Sequence, residues 1–173
     1  MTARPGHSAL GKRPAYVALG SNMEAERNLP RAVLALRRLG EVRSISHVYE
    51  SEAVGPAGQP RFLNAVVRLE AADGVDDLRI KLRQVEADMG RVRTSDKFAP
   101  RPIDLDLVAA DDFIDADLAA RAYLAVTLAE VAPDLMFDAT GESVAARAEM
   151  LRSTSELRPR PDVDRSIAKA LQR

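Results

Sequence analysis

Apolar residues along the chain fall into short blocks whose spacing switches between period two and a period of three to four. Residues 16–19 form a brief apolar run stopped by Gly20, Ser21 and Asn22, the pattern of a strand running into a turn. Asn28 is placed to cap a helix over residues 29–39. Leu29, Val33, Leu36 and Leu39 share one face there, Pro30 falls in the first turn where its missing N–H is harmless, and Gly40 follows as terminator. The β-branched content of residues 42–49 predicts a strand with poor alternation.

Residues 62–69 alternate cleanly. Leu63, Ala65, Val67 and Leu69 take one face, and Phe62, Asn64, Val66 and Arg68 the other. Val75, Leu78, Leu82, Val85 and Met89 then recur at helical spacing up to Gly90, and residues 103–109 return to period two. The order strand, helix, strand, strand, helix, strand predicts an α+β fold. It is the ferredoxin-like split βαβ arrangement, with helices packed on one face of an antiparallel sheet. Such a scaffold carries many functions, so activity has to be read from its side chains.

With 173 residues and 46% hydrophobic content the chain suits one domain, expected over residues 14–152. Residues 1–13 are expected to be a loose N-terminus, and residues 153–173 a polar tail that is either mobile or ends in a short helix over 167–171. A formal net charge of -1 offers no global field for nucleic acid or an anionic membrane. The absence of cysteine excludes disulfides and thiolate chemistry and fits a reducing compartment. No signal-peptide core is visible, and no segment approaches the ~20 apolar residues of a membrane span, so a cytoplasmic protein is expected.

Candidate chemistry concentrates in GRVRTSDKFAPRPIDLDLV, residues 90–108. Asp104 and Asp106, two apart on a strand, project from the same face roughly 7 Å apart. An isolated D-x-D more often merely faces water, yet aspartate is disfavoured in strands, and hard oxygen ligands in such a pair suit Mg²⁺. Arg91, Arg93, Lys97 and Arg101 lie on the preceding segment, which reads either as a solvated loop or as a clamp for phosphate. Taken together, carboxylates and guanidinium groups favour a nucleotide polyphosphate, and no G-x-x-x-x-G-K-[ST] loop is present. In QPRFLN, residues 59–64, Phe62 and Asn64 share a strand face beside Gln59. That arrangement is either a core phenylalanine next to a turn residue, or a surface that stacks a planar heterocycle and reads its edge.

These motifs, in order, resemble the 6-hydroxymethyl-7,8-dihydropterin pyrophosphokinase family over about residues 15–140. They are ALGSN at 18–22, YESEAVGPAGQPRFLNAVV at 49–67, GRVR at 90–93, FAPRPIDLDLV at 98–108 and LAEVAPDL at 128–135. The resemblance implies pyrophosphoryl transfer from ATP to a pterin alcohol, with two Mg²⁺ ions held by Asp104 and Asp106. It implies catalytic roles for Arg91, Arg93 and Arg101, matched to arginines of a mobile loop that closes over the triphosphate. Pterin contacts are implied at Ser51, Val54, Gln59, Phe62, Asn64 and Tyr123, and ATP contacts at Glu86, Arg91, Phe98, Arg101, Leu107 and Arg121. The expected partners are therefore a small-molecule pterin and ATP, with no nucleic acid or membrane, and the expected state is a monomer.

The chain departs from the family at several positions. Phe98 and Ala99 stand where tryptophan and glycine are usual, Glu52 where proline is, and Tyr123 where phenylalanine is. The family's Pro-His-Pro segment is missing, since only LVAADDFIDADLAA separates Asp106 from Arg121. A pterin-binding paralogue with weak or no turnover is the alternative this implies. An RNA binder on the same fold lacks support, because the two-aromatic sheet signature is absent and the chain has no net positive charge.

Overall fold

In the computed structural model, which describes residues 11–96, 98–110, 113–115, 120–137 and 141–172, the alternating run becomes the central strand of a seven-stranded antiparallel sheet. The elements are β1 (Arg13–Ser21), α1 (Ala25–Leu36), β2 (Glu41–Ile45), β3 (Tyr49–Ser51), β4 (Phe62–Ala71), α2 (Val75–Asp88) and β5 (Asp104–Ala110). They continue with β6 (Phe113–Ile114), α3 (Ala122–Val131), β7 (Met136–Phe137), β8 (Glu142–Ser143), α4 (Val144–Arg152), β9 (Arg158–Pro159) and α5 (Pro161–Leu171). The spatial order is β6-β5-β1-β4-β3-β9, with β2 also paired to β4. This is the expected ferredoxin-like frame, with β1 between β4 and β5.

Helices cover both faces of the sheet, not one. Leu63, Ala65, Val67 and Leu69 of β4 meet α1, α2 and α5 in the main core, as predicted for that side. On the other side Tyr16, Ala18, Val66, Val108 and Ala109 pack against Leu124, Leu128 and Val131 of α3 and Val144 of α4. A second apolar sheet face left bare would expose a large hydrophobic patch, and α3, apolar nearly all round, is the element that covers it.

Local corrections have local causes. α1 starts at Ala25 after Glu24 in a left-handed conformation, because the Asn28 side chain turns inward and donates to Met23 O at 2.8 Å instead of capping. Pro30 consequently lies in the helix interior. Gly40 is required by packing: a β-carbon there would stand 2.5 Å from Glu70 O. The strand expected over 42–49 is broken into β2 and β3. At the break Ser46 N donates to Val66 O at 2.9 Å while Ser46 Oγ accepts from Val66 N at 2.9 Å, so a side chain stands in for one rung of the ladder. Gly90, at φ 91°, ends the α2 region as its position predicted.

The polar segment from residue 153 carries both β9, paired to β3, and α5, a longer helix than the one over 167–171. Its prolines do not break structure, since Pro161 occupies the first turn of α5 and Pro159 an edge strand. Val163 and Ile167, one turn apart, are buried in the main core. Burying two such side chains is worth about 3–6 kcal/mol, enough to hold a helix of 11 residues that would be marginal alone. Residues 1–10, Lys97 and residues 111, 112 and 116–119 of the short connection lie outside the described residues, while Arg13, expected to be loose, opens β1.

Candidate active site

Three strands end side by side on the α3 face, and their register assembles a cleft of about 460 Å³. Gly20 of β1 is opposite Asn64 of β4 on one side and Asp104 of β5 on the other; one step back, Ala18 is opposite Val66 and Asp106. β1 thus supplies a floor of small residues between an amide and two carboxylates. A β-carbon at position 20 would lie 3.6 Å from Asn64 Oδ1, 3.7 Å from the Phe62 ring and 3.9 Å from Asp104 Cβ. Sequence reading took Gly20 only as a turn residue; the small residues alternating in the run before the turn were the available signal.

One end of the cleft is lined by Ser51, Glu52, Val54, Gln59, Phe62 and Asn64, with Tyr123 and Leu124 of α3 also on its wall. Asn64 is buried. Its Nδ2 donates to Ser51 Oγ at 2.9 Å and points at Tyr49 O at 3.4 Å, which leaves Oδ1 turned toward Gly20. The Tyr123 hydroxyl accepts from Arg121 Nη1 at 3.1 Å.

The other end holds Phe98, Arg101, Asp104, Asp106 and Arg121. Alternation puts Leu105 and Leu107 in the main core, so both aspartates face the cleft. By the same geometry the Leu107 side chain faces the main core, so this residue meets the cleft side only with its backbone. Arg101 Nη1 donates to Asp104 Oδ2 at 2.8 Å, and its guanidinium sits 5.8 Å from the Phe62 ring centroid, joining the two ends. The Gly-Ser-Asn turn anchors this arginine's loop. Asn22 Oδ1 accepts from Arg101 N at 2.8 Å, and Ser21 Oγ donates to Pro102 O at 2.7 Å. Sequence reading missed this role, although a serine and asparagine that finish an apolar strand and are themselves buried need partners. Across the opening, Phe98 packs on Gly55, whose φ of 122° and contact with the ring both exclude a side chain.

Glu86 is 2% exposed and does not reach the cleft surface. It accepts from Leu105 N at 2.8 Å, from Arg93 Nη2 at 2.8 Å and from Arg91 Nη1, which also donates to Asp104 Oδ1. Glu86 is thus a brace beneath the cleft. Arg91 is held between two carboxylates with little exposure, while the Arg93 side chain stays mostly open to solvent. A buried carboxylate with three partners is the arrangement in which such a charge is tolerated.

The two aspartates differ in electrostatic state. Burial raises the pKa of Asp104, but Arg91 and then Arg101 outweigh it and hold the carboxyl below its ordinary value. Asp106 is pushed up to about 6 by desolvation and by the charges of Asp104 and Glu86. Because Asp106 opens toward solvent in the cleft, the repulsion is the firmer of these two causes. Among the described residues no group of three or more His, Cys, Asp or Glu side chains gathers as a complete protein cage for a metal. Two cleft-facing carboxylates, one carrying unanswered negative charge, nevertheless fit a hard divalent cation that takes its remaining ligands from phosphate and water.

Residues 16–133 match the family model described as 7,8-dihydro-6-hydroxymethylpterin-pyrophosphokinase. The chain is 39% identical over 132 residues to the 2-amino-4-hydroxy-6-hydroxymethyldihydropteridine pyrophosphokinase of Pseudomonas aeruginosa, covering 69% of this chain and 81% of that protein. It is 31% identical over 134 residues to the protein of the same description from Haemophilus influenzae, covering 70% and 83%. Among solved structures, the HPPK-DHPS of Plasmodium falciparum with pteroate shares the fold at a TM-score of 0.67 and 11% identity, over 82% of this chain. This chain spans only 45% of that longer protein.

Proposed function

Since the chain belongs to the 7,8-dihydro-6-hydroxymethylpterin pyrophosphokinase family, we infer that its cleft transfers a pyrophosphoryl group from ATP to 6-hydroxymethyl-7,8-dihydropterin, in folate biosynthesis. The observation that carries the placement is the row Asn64, Gly20, Asp104 across three strands. It sets a group able to read a heterocycle edge beside a group able to meet phosphate, with no side chain between.

The pterin ring lies between Phe62 and Tyr123, and Asn64 Oδ1 accepts from its edge, since Nδ2 is already committed to Ser51. Ser51, Val54 and Gln59 close that end. Arg101 and Arg121 receive the phosphates from the cleft wall, Phe98 shields them from water, and Arg91 and Arg93 follow if their bonds to Glu86 loosen. Mg²⁺ held by Asp104 and Asp106 would offset phosphate charge and polarise the attacking oxygen. Transfer is direct. The pterin hydroxyl oxygen bonds to the β-phosphorus, the bond from that phosphorus to the α,β-bridging oxygen breaks, AMP departs, and the hydroxyl proton passes to solvent. Arg101 is placed to answer the charge that develops, because it already lies between the Phe62 ring and Asp104.

Product analysis by mass spectrometry tests the reading. ATP, Mg²⁺ and the pterin should yield AMP and pterin diphosphate. Asp104→Asn and Asp106→Asn should each abolish AMP formation, as should chelation of the metal. Tight pterin binding without AMP release would instead identify a paralogue that has lost turnover with the shortened 107–120 connection.

A further inference from the structure

Glu50 lies on the opposite face of β3 from Ser51, away from the cleft, yet it belongs to a line of alternating charges that reaches the cleft wall. At its far end is Arg160, just before α5 and outside the residues that match the family model. Arg160 Nη1 donates to Glu50 Oε2 at 3.1 Å and Nη2 to Glu26 Oε1 of α1 at 3.1 Å. Nε and Nη2 also donate to Asp162 at 3.0 and 2.9 Å, and the backbone N donates to Val48 O at 2.8 Å. One side chain therefore ties α1, β3 and α5 together. The other oxygen of Glu50 stands 3.6 Å from Arg61 Nη1, an atom that is buried and has no hydrogen bond of its own, and Arg61 Nη2 donates to Glu52. Glu52 and Arg61 are the two feet of loop 52–61, which contributes Glu52, Val54 and Gln59 to the cleft.

We propose that Arg160 is a positioning residue for the pterin end of the cleft, acting through Glu50 and Arg61 to hold loop 52–61 in the form that receives the ring. The proposal rests on the assignment of that end to the pterin. Its physical basis is competition for Arg61. With Arg160 in place, Glu50 is answered from behind and Arg61 is free to pin Glu52. Without it, Glu50 faces Glu26 and Asp162 with Arg61 as its remaining cation in this line. The loose Glu50–Arg61 contact then shortens at the expense of Glu52, and one foot of the loop is released. The phosphate end feels the loop only at second hand, through Phe98 packed on Gly55, because none of Arg101, Asp104 or Asp106 belongs to the line.

The test is a set of single substitutions with separate KM values for pterin and ATP, pterin titrations, and thermal midpoints. Arg160→Gln should raise the KM for pterin about fivefold, the size of one partly exposed ionic link, with a clearly smaller rise in KM for ATP and kcat unchanged. Arg160→Lys should recover part of the loss. Glu52→Gln breaks the last link alone, on a side chain 70% exposed and remote from α5, and should reproduce the pterin effect with no fall in thermal midpoint. Arg43→Gln, an exposed arginine of β2 paired with Glu41 at 2.7 Å and outside this line, should change nothing. Wild-type pterin affinity in Glu52→Gln, or equal losses for pterin and ATP in Arg160→Gln with a lowered midpoint, would assign the network to fold stability and overturn the proposal. A wild-type protein that makes no product overturns the catalytic reading instead, and the pterin titrations of the same variants then decide this one.

Discussion

Leu105 donates its backbone N–H to Glu86 Oε1 at 2.8 Å, so a carboxylate at the end of α2 grips β5 between the two cleft-facing aspartates. The same carboxylate receives Arg91 and Arg93. The positions of Asp104 and Asp106 are therefore set from behind the sheet, by a buried residue.

Glu86→Ala should lower unfolding free energy by about 2–4 kcal/mol, since it takes away one of the two carboxylates that hold Arg91 and leaves a buried N–H without its acceptor. Glu86→Gln keeps an acceptor for Leu105 and should cost clearly less. Urea denaturation of both variants checks this, and equal losses would show that the Leu105 bond contributes nothing.

Asp106 gives a pH dependence whose sign is the reverse of the usual carboxylate. Its carboxyl, raised from 3.8 to about 6, holds a proton in the folded state that the unfolded chain has already released. Metal-free protein should thus lose stability from this group as pH rises through that window, by about 1 kcal/mol once solvent in the cleft is allowed for. Denaturation at several pH values in chelator should show the decline in wild type and not in Asp106→Asn. Mg²⁺ at neutral pH should stabilise the wild type more than the variant.

His47 works in the ordinary direction for a histidine. Its Nδ1 bonds Asp164 at 2.8 Å, and that bond, with Glu130 nearby, raises the ring's pKa above 6.5 despite some burial. The folded state holds this proton more tightly, so the contribution is complete below the unfolded value and is lost as pH rises through the folded one. The ring is largely exposed, so the effect should be small: a wild-type thermal midpoint that falls slightly more than that of His47→Gln between about pH 6 and 8. A flat difference would show that the His47–Asp164 bond contributes nothing, leaving the Val48 N–H to Asp164 Oδ1 bond as the tie to α5.

Phe62→Tyr should be nearly silent for pterin binding, since phenol and phenyl present the same face. Phe62→Ala should weaken it by about 1–3 kcal/mol, by analogy with base stacking. Asn64→Leu should cost at least as much, because it removes both the edge acceptor and the bond to Ser51. Affinity for an ATP analogue should change by less than about 1 kcal/mol in Phe62→Ala, the scale of the Arg101 contact with the ring. Calorimetric titration of each variant with each ligand separates these outcomes.

The alternation in β4, the helical spacing of α2, the element order and the shared face of Asp104 and Asp106 were all legible in the chain. They are properties of a few neighbouring residues and a fixed backbone period. What depended on sequence-distant partners was not. That Glu86 braces β5 was decided by Leu105 and two arginines arriving from another segment. Whether residues 42–49 ran as one strand was decided by the Ser46 hydroxyl meeting Val66. Whether the polar C-terminal stretch stayed free was decided by α1 offering Val163 and Ile167 an apolar surface. Periodicity is written locally and survives in the unfolded chain as a pattern, whereas a buried charge or a two-residue apolar stripe acquires its energy only when the surface opposite it exists.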